Sequence, residues 1–293
     1  MKKLFRIIIS TIVLTAILAH TVIFALSETV GATNKQKAIT VLLNSGWTED
    51  EIEYFLTDDI ILSYKDVKNL VSSDKSFYKV TDDGMMQITE NECTEALISM
   101  SATNLPIGGE ITDPIETSDG YLSMCLRVYN MGSGIYRATM EYEWLKDPAN
   151  TKIDVIALYC SDELVFADRD TVSYLYRAER VLSDNSVIEN IVITQPETIE
   201  SNTYGVVVHQ TLASSQTGLI STGTTNHRGY LQAEFEVDNS SALVGAIAGE
   251  YIHQQYLWTV TPQITFGDFD ISATPSLAFK EMSPNPYLTF NIG

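Results

Sequence analysis

From about residue 119 onward, apolar residues recur at every second position, and that period restricts what this chain can fold into. In "GYLSMCLRVYN", Leu122, Met124, Leu126 and Val128 share one face. In "IYRATMEYEWL", Tyr136, Ala138, Met140, Tyr142 and Trp144 share one face, while Arg137, Thr139, Glu141 and Glu143 share the other and are expected in solvent. "TVSYLYRAERV", "TYGVVVHQTL", "GYLQAEFEV", "LWTVTPQITF" and "DISATPSLAF" continue the pattern. Successive strand side chains point to opposite faces, so the period belongs to half-buried antiparallel strands. The expectation is a mainly β fold: an antiparallel β-sandwich, Ig-like or related, over residues 119–293. A stretch of about 175 residues is long enough for one substantial core.

Before residue 100 the period is helical. Thr33-Asn34-Lys35-Gln36 reads as a capping box, Ile39, Leu42 and Leu43 as an apolar stripe, and Ser45-Gly46 as a helix end. Thr48 and Glu51 form a second capping box, with Trp47 and Ile52 as its hydrophobic staple. Asp58 and Asp59 start a third helix, with a stripe at Ile60, Ile61, Tyr64, Val67, Leu70 and Val71. "FYKVTDDGMMQIT" reads as a hairpin around Asp-Gly, and Thr89 to Glu92 as a capping box opening a helix with Cys93, Ala96, Leu97 and Met100. Residues 33–100 are thus expected to be a small helical unit with a β-hairpin. Residues 101–118, with Pro106, Gly108, Gly109 and Pro114, read as a linker.

The first residues carry Lys2, Lys3 and Arg6, then run apolar from Ile7 to Leu26. A basic start, an apolar core and following small residues read as a signal peptide over 1–27, with an uncleaved anchor as the alternative. The expected location is secreted or extracellular at the cell surface, with no stable membrane span once the leader is cleaved. The formal net charge is −20, and losing the leader's three basic residues makes it −23. Such a surface repels phosphate backbones, so no nucleic-acid partner is expected. Cys93, Cys125 and Cys160 make an odd set that fits no zinc spacing and reads as buried hydrophobes. A Cys125–Cys160 disulfide is the alternative.

Chemistry-bearing patterns are few. Glu141 and Glu143, at i and i+2 on one strand face, are the weak candidates for a catalytic carboxylate pair. The competing reading is a solvated face. His209 and His253 fall in strand-like runs and His227 in a turn-like one, without metal-ligand spacing. Asp168-Arg169-Asp170 and Asp268-Phe269-Asp270 resemble half a calcium site but read as loop caps. No Gly-x-Ser-x-Gly or phosphate loop occurs. Neither a metal nor a cofactor is expected.

The combination "GWTEDEI", "FYKVTDDG" and "EYEWLKDPANTKIDVIALYCSDEL" resembles uncharacterised exported proteins of Gram-positive bacteria. The resemblance implies a secreted β-rich domain behind a small helical segment and carries no catalytic residue. The "GW" before a helix is also similar to the first loop of ubiquitin-associated three-helix domains. The expected function is an exported, acidic, non-enzymatic binding protein whose partner is a cell-surface, cell-wall or host ligand. Two alternatives are a secreted glycan hydrolase using carboxylates and a pore-forming protein. The latter rests on the Ser/Thr-rich alternation of residues 203–280.

Overall fold

A computed structural model describes residues 32–81, 84–103, 120–148, 151–216, 222–254 and 279–292. The expected leader and nearly all of the expected linker lie outside these ranges. The chain divides into two compact units, Met1–Val67 and Lys68–Gly293.

The first unit is helical because its turns are capped and its apolar residues fall at helical spacing. Helix α1 spans residues 32–44 and already includes Thr33, so Thr33 lies in its first turn and is not the cap expected of it. Its end is a Schellman motif: Trp47 N–H donates to Leu42 O at 3.2 Å, Gly46 N–H to Leu43 O at 3.1 Å, and Gly46 takes φ +86°. In helix α2 (Glu49–Phe55) the expected capping box is present. Glu51 N–H donates to Thr48 Oγ1 at 3.1 Å, and Thr48 N–H to Glu51 Oε2 at 2.9 Å. Trp47 and Ile52 are both buried. Helix α3 (Asp58–Ser63) is capped by Thr57 and ends one turn into its expected stripe. A 3₁₀ turn, Tyr64–Asp66, follows, and Val67 turns extended at ψ 134°. Leu70 and Val71 therefore leave the helix and enter a strand, because pairing with a distant strand overrides a local apolar spacing.

Among the described residues the second unit holds fourteen strands in two sheets joined at one edge. They are β1 (Asn69–Thr81), β2 (Gly84–Ile88), β3 (Gly120–Gly132), β4 (Ile135–Lys146), β5 (Ile153–Cys160), β6 (Leu164–Phe166), β7 (Ser173–Val181), β8 (Val187–Ile193), β9 (Thr198–Asn202), β10 (Gly205–Thr211), β11 (Gly223–Val237), β12 (Val244–Gln254), β13 (Phe279–Ser283) and β14 (Tyr287–Asn291). One sheet runs β8-β7-β11-β4-β3-β1-β2, and the other β12-β5-β10-β9 with β13 and β14 against β12. Among the described strands, pairing is antiparallel except where β13 lies parallel to β2 and bridges the sheets. The expected β1–β2 hairpin forms in register Thr81↔Gly84, and helix α4 (Glu90–Thr103) follows it with the expected Thr89–Glu92 capping box.

The sheets face each other as a mainly β sandwich. Leu122, Met124, Leu126 and Val128 of β3 and the five predicted residues of β4 pack with Ile156, Leu158, Val206, Val208, Ile247 and Tyr251 of the other sheet. The approach is close enough that a side chain on Gly249 of β12 would meet Met140 Sδ at 2.5 Å. The outward face differs from expectation. Arg137, Thr139 and Glu141 are buried, Glu141 at 3 % exposure, and Glu143 is half-buried. The alternation predicts which residues share a face but not whether long side chains on that face cover one another, as Arg127 and Glu141 do, and Arg137 and Glu234 at 2.6 Å.

Replacing Thr48 by Ala removes one half of the α2 capping box. Its expected cost is about 1 kcal/mol, read by chemical denaturation.

Candidate functional site at one end of the sandwich

At the end of the sandwich where β5 begins and β10 and β12 finish, the core becomes polar. Asp154 lies in β5 on the same face as Ile156 and Leu158, with 0 % exposure. Register places Gln210 of β10 on one side of it and His253 of β12 on the other. A buried carboxylate without partners costs several kcal/mol, so its contacts decide whether it can be there at all. Tyr251 donates its hydroxyl to Asp154 Oδ2, and His253 Nδ1 donates to Asp154 Oδ1 at 2.7 Å. Trp144 Nε1 in turn donates to the Tyr251 oxygen at 2.8 Å, and the Trp144 ring lies 4.9 Å from the His253 ring. The proton of His253 is thereby assigned to Nδ1 by its partner.

The facing sheet contributes Tyr142 of β4, Tyr174 and Tyr176 of β7, and His227 of β11. The Tyr142 ring packs 4.9 Å from that of Tyr251 and lies over Gly229, whose lack of a side chain leaves it room: a Cβ there would sit 2.3 Å from the ring. Ala213 N–H donates to the Tyr176 oxygen at 2.8 Å, and that hydroxyl meets His227 Nδ1 at 2.7 Å. Where Tyr176 donates to Nδ1, the His227 proton lies on Nε2. The loop between Leu212 and Gln216 thus reaches a histidine in β11 through Tyr176.

Several polar atoms here have no hydrogen-bond partner: His227 Nε2, the Tyr142 and Tyr174 hydroxyls, Gln210 Oε1 and Asp147 Oδ1. The Tyr142 and Tyr174 hydroxyls are within reach of each other: a hydrogen-bonding contact with Tyr142 lowers the Tyr174 pKa against the rise that burial causes, although its geometry is poor. Most buried polar groups in folded proteins are paired, so these unpaired atoms call for a reason. Burial pushes the His227 pKa down, opposed by Asp147 and Asp154 and reinforced by His253. Burial raises Tyr142, Tyr174 and Tyr251 well above the usual tyrosine range, and Asp154 adds to each. The field of Asp154 therefore reaches both sheets.

The residues singled out from sequence fare differently. His227, expected in a turn, is buried within β11. It joins His253 near Asp154, while His209 points to the other face of β10, where its Nε2 lies 3.9 Å from Glu200. Glu141 is engaged by Arg127 and by Thr139 Oγ1 at 2.9 Å, away from the polar end. Asp168 caps a 3₁₀ turn by accepting from Asp170 N–H at 3.2 Å, as a loop cap should. Asp268 and Asp270 lie outside the described residues. All three cysteines are free and buried, and burial pushes the Cys125 and Cys160 thiols up to about 12, far from thiolate reactivity. Among the described residues no three His, Cys, Asp or Glu side chains are grouped to hold a metal, and no helix is long and apolar enough to cross a membrane. Asp154, Trp144, Tyr174, Tyr176, Gln210 and Tyr251 were not singled out as site residues. The available signal was a carboxylate at core-facing parity in "KIDVIALYC".

His227 makes stability acid-sensitive. Its pKa lies below the usual 6.5 in the folded state, so the unfolded chain takes up the proton first as pH falls. The stabilisation is full above the unfolded value and is lost progressively below it. Denaturation midpoints should drop between pH 7.5 and 5.5, and His227→Gln should flatten that dependence.

No family model matches the sequence, and no curated protein does. Solved structures give partial likenesses. The collagen-binding domain of a Staphylococcus aureus adhesin aligns at TM-score 0.27 and 7 % identity, covering 54 % of this chain and 88 % of that one. The collagen-binding domain of Erysipelothrix rhusiopathiae surface protein RspB aligns at TM-score 0.27 and 6 % identity, covering 59 % and 66 %. These values are too low to transfer a fold, a ligand or a role.

Proposed function

We propose that the protein is an exported, acidic, non-enzymatic binding protein that takes a small polar ligand at the Asp154 end of its sandwich. The observation that supports it is the set of polar atoms without a hydrogen-bond partner, among them His227 Nε2 and Gln210 Oε1, on residues whose register and electrostatics group them around Asp154. They offer a mixed set: a donor at His227, acceptors at Gln210 and Asp147, and two hydroxyls able to do either. Mixed donors and acceptors between the rings of Trp144, Tyr142, Tyr174 and Tyr251 suit a neutral polyhydroxyl ligand such as a cell-wall or host sugar. Export rests on the basic-then-apolar start of the sequence. A binding role in preference to a hydrolytic one is supported by the Arg127 and Thr139 contacts that occupy Glu141.

Tyr174→Phe separates a binding role from a structural one. Deleting an unpaired buried hydroxyl should leave stability unchanged or raise it, since about 1–3 kcal/mol of desolvation cost is removed. The same change should weaken whichever sugar of a cell-wall and host glycan panel stabilises the wild type in thermal-shift and calorimetric titrations. A clear loss of stability, or no sugar in the panel bound by the wild type, counts against the proposal.

A further inference from the structure

Two strands carry an extra residue at the Asp154 end of the sandwich. In β11, Thr225 pairs with Glu179 of β7 and Arg228 with Arg177, so Asn226 and His227 together stand opposite Ala178 alone. In β4, Trp144 pairs with Leu122 of β3 and Lys146 with Tyr121, so Leu145 is the extra residue. A bulge re-aims the side chains beside it, and bulges gather next to functional sites. The β4 slip reverses the alternation. Lys146 joins Tyr121 on the outward face, which brings the next residue, Asp147, to the inward side that Trp144 occupies.

The β11 bulge is also strained. Asn226 takes φ +56°. The other described non-glycine residues with positive φ, Ser133 and Asn185, lie in the turns after β3 and β7, whereas Asn226 lies inside a strand. Such a conformation persists only where the surroundings hold it, and it clusters at functional sites. Asn226 Nδ2 donates to Glu179 Oε2 at 2.7 Å, and its carbonyl accepts from Arg228 at 2.9 Å. On one side of it Thr225 Oγ1 donates to Asp147 Oδ2 at 2.5 Å, and on the other His227 Nδ1 meets the Tyr176 hydroxyl at 2.7 Å. Each fastened group keeps one unpartnered buried atom, Asp147 Oδ1 and His227 Nε2, and His227 has 0 % exposure. Burial pushes the His227 pKa down, and Asp147 is the charge that opposes this most.

On the reading of this end of the sandwich as a sugar-binding place, we propose that Asp147 and His227 form a subsite for one hydroxyl group of the sugar, and that Asn226 is the residue that positions the pair. His227 Nε2–H donates to the hydroxyl oxygen, and the hydroxyl donates to Asp147 Oδ1. A group that both gives and takes a hydrogen bond fits this pair. An ether or carbonyl oxygen only accepts, and would leave the buried carboxylate oxygen unsatisfied.

Calorimetric titration of Asp147→Asn, Asn226→Gly and Asn226→Val tests this, using the glycan panel with glucose, galactose, N-acetylglucosamine and their monodeoxy analogues as its simple members. The amide of Asp147→Asn keeps an oxygen for Thr225 and turns a donor toward the hydroxyl, so the sugar taken by the wild type should bind about tenfold more weakly. One monodeoxy analogue should lose as much on the wild type and nothing further on Asp147→Asn. Glycine adopts positive φ freely and a β-branched residue does not, so Asn226→Gly should bind nearly as the wild type does while Asn226→Val loses binding. Without sugar, nitrogen-15 NMR should show the His227 ring titrating at lower pH in Asp147→Asn, because a carboxylate that favours the charged ring is gone. Asp147→Asn decides the matter if Asn226→Val does not fold. If the wild type binds no sugar of the panel, the subsite is overturned together with the sugar reading. If it binds one that Asp147→Asn and Asn226→Val bind equally well, or that Asn226→Gly no longer binds, the subsite is overturned and the sugar reading stands. An unmoved His227 titration in Asp147→Asn also overturns the subsite alone.

Discussion

The contact on which the polar end depends is the pair of hydrogen bonds that Asp154 accepts from Tyr251 and His253. A carboxylate facing the core at 0 % exposure is tolerable only with its lone pairs engaged. Both donors come from β12, and register makes this possible: His253 stands directly across from Asp154, and Tyr251 shares its face two residues back. Trp144 then holds Tyr251 from the opposite sheet. The chain Trp144–Tyr251–Asp154–His253 ties the two sheets together by hydrogen bonds where, farther in, Leu126, Met140 and Leu158 tie them by apolar packing alone.

Two sets of buried polar residues lie on either side of the β3–β4–β11 layer, and they are built differently. On its outward face Arg127 pairs with Glu141, Arg137 with Glu234, and Tyr230 donates to Gln232 at 2.8 Å. Charges there are matched side by side, and that arrangement serves stability and register. On the inward face, at the polar end, Asp154 is fully engaged while His227, Tyr142, Tyr174, Gln210 and Asp147 each keep one orphan atom. A network that served only stability would gain by closing those bonds or by replacing the groups with apolar ones. The incomplete network is the physical basis for placing binding here.

Much of the fold was legible in sequence because two signals are local. Period two named the inward residues of β3 and β4, and Thr48–Glu51 and Thr89–Glu92 named helix starts. The acid-rich "GWTEDEI" is a helix start, with its Glu51 spent on the cap. What failed was non-local. Leu70 and Val71 sit at helical spacing yet belong to β1, because that strand pairs with β3, more than fifty residues away, at Leu70 and from Ser72 onward. Arg137, Thr139 and Glu141 carry solvent-face character, yet neighbours on adjacent strands bury them. The site was the least legible part. It is assembled from β4, β5, β7, β10, β11 and β12, and in no one strand does it leave more than a single misplaced polar residue. Asp154 in "KIDVIALYC" and His253 in "GEYIHQ" were such signs, each ambiguous until register puts them side by side.

Nitrogen-15 NMR of the imidazole rings at neutral pH, without and with a bound sugar, is the most direct test of the polar end. The account predicts a neutral His227 protonated at Nε2, a His253 that keeps its Nδ1 proton on Asp154, and a shift of the His227 Nε2 signal when ligand binds. A His227 protonated at Nδ1, or an Nε2 signal that does not move when the ligand is bound, would contradict it.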